Sequence, residues 1–130
     1  MKLVIGGIAQ GKLEYVLQKY AVSKERVWSG ALPDRAERSD RNKGTVVLYK
    51  FQDWVKARIA CGGCPEEEIL RFLDECKDCI IISDEIGNGI VPTDPVERAY
   101  RERTGRILVQ LAGRAEEVER VICGIAQRIK

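Results

Sequence analysis

The chain contains no histidine. That absence removes the commonest general base near neutral pH, every imidazole metal ligand and any histidine nucleophile. It also lacks an apolar run approaching the length of a membrane span, and its amino end passes from one short apolar strand into glycines rather than into a signal-type segment. A cytoplasmic protein without a membrane span is therefore expected. Charge of one sign is missing too. Lysine and arginine number 22 against 20 acidic residues, leaving +2, which gives no bulk electrostatic reason to expect nucleic acid or an anionic membrane as partner. At 130 residues, 45% hydrophobic and 32% charged, the composition fits one globular domain over 1–130, long enough to bury a core without staples.

What is there begins at the amino end. Leu3, Val4 and Ile5 lead into Gly6-Gly7-Ile8-Ala9-Gln10-Gly11-Lys12, an apolar strand feeding the pattern Gly-x-x-x-x-Gly-Lys of a phosphate-binding loop. Glycines let such a loop turn its N–H groups inward around anionic oxygens, and a helix starting near Lys12 aims its positive end at the same point. Lys12 supplies a mobile cation. The hydroxyl that normally follows the lysine and holds Mg²⁺ is replaced by Leu13, which cannot ligate a hard cation. The alternative is a glycine-rich strand-to-helix turn that binds nothing.

Further along, Leu13, Val16, Leu17 and Tyr20 recur at helical spacing, so residues 12–20 read as a helix with one buried face, which gives Leu13 a structural role. Residues 26–30 read as a short strand. The stretch 31–44, with Arg35, Arg38, Arg41 and Lys43, is either a solvated loop or a basic lid over phosphates. A buried strand is expected over 45–49 and a short helix over 51–60. Pro65, the acidic Glu66-Glu67-Glu68 and the apolar Ile69, Leu70, Phe72 and Leu73 mark another helix ending near Cys76. Cys79-Ile80-Ile81-Ile82-Ser83 is a strand running into a second glycine-rich turn, 84–92. From Asp94 the pattern is helical to about Glu117, with Gly105 interrupting it or separating two helices; a strand follows over 118–123 and a small edge over 127–130. Strands alternating with helices at this spacing argue for an α/β fold, a largely parallel sheet covered by helices on both faces. Ligands gather at the carboxyl ends of such strands, which places both glycine-rich turns around one cleft with Lys12 and Glu85 on its walls.

Four of the five cysteines form Cys61-x-x-Cys64 and Cys76-x-x-Cys79, the outline of a four-thiolate zinc site. A helix between the pairs would hold Cys64 and Cys76 on the order of 18 Å apart, too far for one metal. No shared zinc is expected. Buried thiols at element ends come first among the remaining readings, followed by a redox or disulfide role for either pair.

Gly6-Gly7 with Gly11-Lys12, then Glu85-Ile86-Gly87-Asn88-Gly89-Ile90-Val91-Pro92, Arg98 and Arg101, Gly105-Arg106, Leu111-Ala112 and Glu116-Glu117-Val118 together resemble the adenosylcobinamide kinase/adenosylcobinamide-phosphate guanylyltransferase family of cobalamin assembly, shortened and diverged. The resemblance covers both ends, about half the chain, and the middle poorly. It implies a RecA-like P-loop fold, ATP or GTP at residues Gly6, Gly7, Ile8, Ala9, Gln10, Gly11 and Lys12, a corrinoid acceptor and a homotrimer. It also makes Lys12 and Glu85 the candidate catalytic residues, with Lys12 on the β/γ-phosphates and Glu85 near the acceptor hydroxyl. Four departures cut against the full activity. Leu13 replaces Ser or Thr, and Tyr49-Lys50 replaces the acidic residue ending the third strand, so Mg²⁺ is not expected to be held in the usual way. The family's guanylylated histidine has no counterpart, and its Asn-Gln pair falls on Leu108 and Val109. A nucleotide-dependent kinase and a non-catalytic binding or regulatory module both remain open.

Overall fold

The computed structural model describes residues 1–39, 44–86 and 92–130. Six strands form one sheet: β1 (Lys2–Gly6), β2 (Val27–Ser29), β3 (Val46–Tyr49), β4 (Cys79–Asp84), β5 (Glu117–Ile122) and β6 (Ile125–Arg128). Their spatial order is β2-β3-β4-β1-β5-β6, with every neighbouring pair parallel except the β5–β6 hairpin. β1 is central. Its Leu3 lies between Ile81 and Val118, and its Gly6 between Asp84 and Val121, so the carboxyl ends of β1 and β4 finish side by side.

Alternation along these strands builds two cores. Leu3, Val46, Leu48, Ile81 and Val118 face α3 (Phe51–Ala60), α4 (Pro65–Glu75) and α5 (Pro95–Arg114), whose Trp54, Val55, Ile69, Leu73, Ile107 and Leu111 complete the larger cluster. Val4, Val47, Ile80, Ile82 and Val121 face the other way, onto Val16 of α1 (Lys12–Lys19). A strand buried on both faces reads as a continuous apolar run, which is why Cys79-Ile80-Ile81-Ile82-Ser83 announces itself so clearly. This is the α/β arrangement expected from the alternation of strands and helices, a largely parallel sheet covered by helices on both faces.

Three local expectations change. Gly105 neither interrupts nor divides its helix: α5 runs unbroken for 20 residues. Tyr100, Thr104, Ile107 and Leu111 form a buried stripe at spacings of four, three and four, and this packing outweighs the roughly 1 kcal/mol that a glycine costs inside a helix. The helix ends at Arg114, short of Glu117, because Glu117 already pairs with Lys2 in the sheet. The edge strand comes earlier than 127–130. Cys123 and Gly124 both take positive φ, 50° and 76°, the signature of a two-residue hairpin turn that sends the chain straight back into β6. The charged stretch 31–44 contains a short helix, α2 (Arg35–Ser39), with Asp34 Oδ1 accepting from the Glu37 N–H at 2.7 Å. Arg41, Lys43 and the glycine-rich residues 87–91 lie outside the described residues. No helix among the described residues is long and apolar enough to cross a membrane.

The position of α1 is fixed at its far end by a buried carboxylate. Glu119 of β5, 3% exposed, accepts hydrogen bonds from the Tyr15 hydroxyl, from the Tyr20 hydroxyl at 2.5 Å and from the Lys19 ammonium at 3.1 Å. Burial alone would raise this carboxyl, but the bonds from Tyr15, Tyr20 and Lys19 outweigh it and hold it below the ordinary range. The Tyr20 phenol is pushed up to about 12, by burial first and by Glu119 second. A carboxyl lowered in the folded state stabilises above its unfolded pKa of about 4.3, and that contribution disappears as pH falls through the folded value. Urea denaturation should therefore find Glu119→Gln less stable than wild type by about 1–3 kcal/mol at neutral pH, with the gap narrowing as the pH drops below about 4.

Candidate functional site

The loop after β1 is shaped by close approach. A Cβ on Gly6 would lie 2.5 Å from the Val121 carbonyl oxygen, so only glycine fits beside β5 there. Ala9 and Gly11 take positive φ, 55° and 82°, which turns the chain back on itself before α1 begins at Lys12. The loop is also tied to the β5–β6 turn. The Gln10 carbonyl accepts from the Gly124 N–H at 2.8 Å, and the Gln10 side-chain oxygen accepts from the Cys123 N–H at 2.7 Å.

Lys12 turns inward. Its side chain is 4% exposed, and its ammonium donates to the Gly7 carbonyl at 2.5 Å and pairs with Asp84 at 2.7 Å. The second Asp84 oxygen accepts from the Gln52 side-chain amide at 3.0 Å, while the Asp84 N–H donates to the Gln52 side-chain oxygen at 3.1 Å. Gln52, buried in the first turn of α3, thus fixes the carboxylate that fixes the lysine. In front of this pair opens a cavity of about 660 Å³ bordered by Gly11, Lys12, Leu13, Lys50, Asp53 and Asp84, within the range that accommodates a small ligand. Leu13 is half-buried against the smaller core cluster and brings no oxygen to the cavity. Lys50 takes a left-handed conformation at the start of α3, with its ammonium 5.7 Å above the Tyr49 ring.

Of the residues singled out in the sequence, Gly11 and Lys12 meet at this cavity together with Ile8, Ala9 and Gln10, while Gly6 ends β1 behind it and Gly7 borders the neighbouring cavity. Glu85 faces elsewhere. Its carboxylate receives Arg120 at 2.6 and 3.0 Å, its N–H donates to the Gly6 carbonyl at 2.8 Å, and it borders a neighbouring cavity of about 550 Å³ with Gly7, Ile8, Asp84 and Tyr100. The two cavities share Ile8, Gln52, Asp53 and Asp84. Asp84, Gln52 and the hairpin clasp on Gln10 were not foreseen. A signal for Asp84 was present, an acid closing a strongly apolar strand, but its value depends on β4 lying next to β1, which no local pattern reveals.

The cysteine pairs are separated as the helix requires. Cys64 precedes α4 and Cys76 follows it. Among the described residues, no three histidine, cysteine, aspartate or glutamate side chains gather to hold a metal.

The class defined by this geometry is an α/β protein in which a glycine-rich strand–loop–helix unit opens on a cleft at the carboxyl ends of parallel strands. Residues 36–129 match the family model described as cobinamide kinase / cobinamide phosphate guanyltransferase, and the chain belongs to that family. The bifunctional adenosylcobalamin biosynthesis protein CobU of Salmonella typhimurium is 35% identical over 69 residues, 50% of this chain and 38% of that protein. Its namesake in Escherichia coli is 37% identical over 67 residues, 48% of this chain and 37% of that protein. The matched stretch thus covers well under half of those relatives. The family match begins after the loop 6–12, so the case for that loop rests on its own geometry.

That geometry separates two adjacent glycines. Gly6→Ala drives a methyl into a backbone oxygen and should destabilise the fold by about 1–3 kcal/mol, whereas a Cβ on Gly7 meets only Gln10 Cγ at 3.5 Å and Gly7→Ala should change stability by less than about 1 kcal/mol. Denaturant midpoints of the two variants provide the comparison.

Proposed function

We propose that the chain binds the phosphates of a nucleotide, ATP or GTP, at residues Gly6, Gly7, Ile8, Ala9, Gln10, Gly11 and Lys12, as a diverged member of its family acting in cobalamin assembly. The observation that carries this reading is the Lys12 ammonium held at the edge of a cavity at the start of α1, where a helix amino end and a lysine cation come together. An incoming phosphate would compete with Asp84 for that ammonium. Glu85, bordering the adjoining cavity, is the candidate acid on the acceptor side, and a corrinoid hydroxyl is the acceptor that the family suggests.

The residues present do not suit Mg²⁺ held in the usual way. Leu13 has no donor, the third strand ends in Tyr49-Lys50, and both Asp84 oxygens are engaged by Lys12 and Gln52. These 130 residues hold no histidine, so guanylyl transfer through a covalent histidine is not expected of them. These same residues favour a second reading, a module that binds nucleotide on the family scaffold without transferring phosphate. A single domain, a homotrimeric assembly and a cytoplasmic setting belong to the same proposal.

Calorimetric titration of ATP, GTP and inorganic phosphate separates the readings. Lys12→Ala should weaken binding about ten- to a hundredfold, the loss of a charge-assisted contact of about 1.5–3 kcal/mol. Wild-type binding should be indifferent to Mg²⁺, and Leu13→Thr should introduce a partial Mg²⁺ dependence. Strong Mg²⁺ dependence in the wild type would favour the kinase, and binding unaffected by Lys12→Ala would remove the loop from the account.

A further inference from the structure

The cavity beside Lys12 has a second cation in its lining, and that residue sits on a strained backbone. Lys50 follows β3 and begins α3 with φ 54° and ψ 47°, a left-handed conformation that glycine adopts freely and lysine only at a cost. Its carbonyl accepts from the Asp53 and Trp54 N–H groups at 3.0 and 3.4 Å, which fixes the position as the start of the helix. The side chain makes no capping bond. The turn itself thus has no need of a lysine, and strain carried beside a cavity argues for a task performed by the side chain.

The charges around the cavity define that task. Its lining carries Lys12 and Lys50 together with Glu14, Asp53 and Asp84. Lys12 is committed to Asp84 at 2.7 Å, and Gln52 takes the other Asp84 oxygen. Glu14, Asp53 and Lys50 are all exposed. Among the described residues no carboxylate comes within ion-pair distance of the Lys50 ammonium, which rests 5.7 Å above the Tyr49 ring on the same cavity wall. Without Lys50, a phosphate entering here would meet one lysine, already paired, and two exposed carboxylates.

We propose that Lys50 supplies the charge a divalent ion supplies at other phosphate sites, and that the cavity takes a metal-free chain of two or three phosphates, Lys12 on one and Lys50 on another. This rests on the reading of the loop as a phosphate site. The residues that would hold the ion do not suit it, since Leu13 has no donor and Lys50 itself follows the end of β3. A dication neutralises a diphosphate by binding oxygens of both phosphates; two ammonium groups on separate elements, α1 and the β3–α3 turn, divide the same work. The cavity, about 660 Å³, has room for such a chain. A single phosphate engages Lys12 alone, so Lys50 makes the site selective for di- and triphosphates over inorganic phosphate.

Calorimetry in EDTA-containing buffer, with inorganic phosphate, pyrophosphate and ATP titrated into wild type, Lys50→Met, Lys50→Arg and Lys12→Ala, tests the proposal. Lys50→Met should weaken pyrophosphate and ATP about tenfold and inorganic phosphate less than about twofold. Lys50→Arg, which keeps the charge, should stay within about threefold of wild type for every ligand. Lys12→Ala should weaken them all. If Lys50→Met folds poorly, Lys50→Gly suits the left-handed backbone and should show the same selective loss with a denaturation midpoint no lower than wild type. Pyrophosphate binding unchanged in Lys50→Met but weakened in Lys12→Ala overturns the role of Lys50 and leaves the loop reading standing. Equal losses for phosphate and pyrophosphate in Lys50→Met overturn the division between the two lysines. Wild-type binding that appears only with added Mg²⁺ overturns the metal-free proposal, and no binding with or without it overturns the loop reading as well.

Discussion

A lysine ammonium taken out of water has to be matched by a carboxylate and by further acceptors, because an unpaired buried charge costs several kcal/mol. Lys12 meets that condition with Asp84 and the Gly7 carbonyl, and much of the surrounding structure follows from it. Asp84 reaches Lys12 because β4 lies directly beside β1 and both end at the same level. Gln52 holds the second carboxylate oxygen, which ties α3 to the same point. On the other side Gln10 is clasped by the β5–β6 turn, and Glu119 pins the far end of α1. Three separate segments therefore converge on one loop of glycines, and a fourth contact fixes the helix that follows it.

On the proposed reading, the same arrangement keeps the family scaffold while altering what it can do with a phosphate. Transfer of a phosphoryl group is mostly positioning and charge neutralisation, and a divalent ion supplies much of the latter. Here the position after the lysine carries Leu13, packed into the smaller core cluster, and the third strand ends beside the Lys50 cation. Neither the Leu13 nor the Lys50 side chain offers an oxygen that a dication could use. On the proposed reading, the Lys12 ammonium, its Asp84 partner and the cavity before them serve an anion without a metal.

Much of the fold was legible because its signals are local. The buried run over β4, the proline and acidic first turn of α4, and the helical period after Lys12 each need only a window of the chain. Where reading failed, the deciding contact was distant or conformational. Gly105 suggests a break until the stripe of Tyr100, Thr104, Ile107 and Leu111 is seen packed on the sheet, and Cys123-Gly124 does not look like a hairpin turn by composition alone. The candidate site followed the same division. The glycine spacing and Lys12 were evident in the sequence, whereas the Lys12–Asp84 pair spans 72 positions and depends on strand order. Glu85 drew notice through its motif, yet its carboxylate is given to Arg120 across the sheet.

The central claim is that Lys12, poised against Asp84, marks an anion site at the amino end of α1. Titrating pyrophosphate into isotope-labelled protein while following every backbone amide by NMR tests it most directly. The account predicts saturable shifts concentrated at Gly7, Gly11, Lys12 and Leu13, accompanied by Asp84 as its partner is drawn away. Saturable shifts centred elsewhere, or none at those amides at millimolar pyrophosphate, would contradict it.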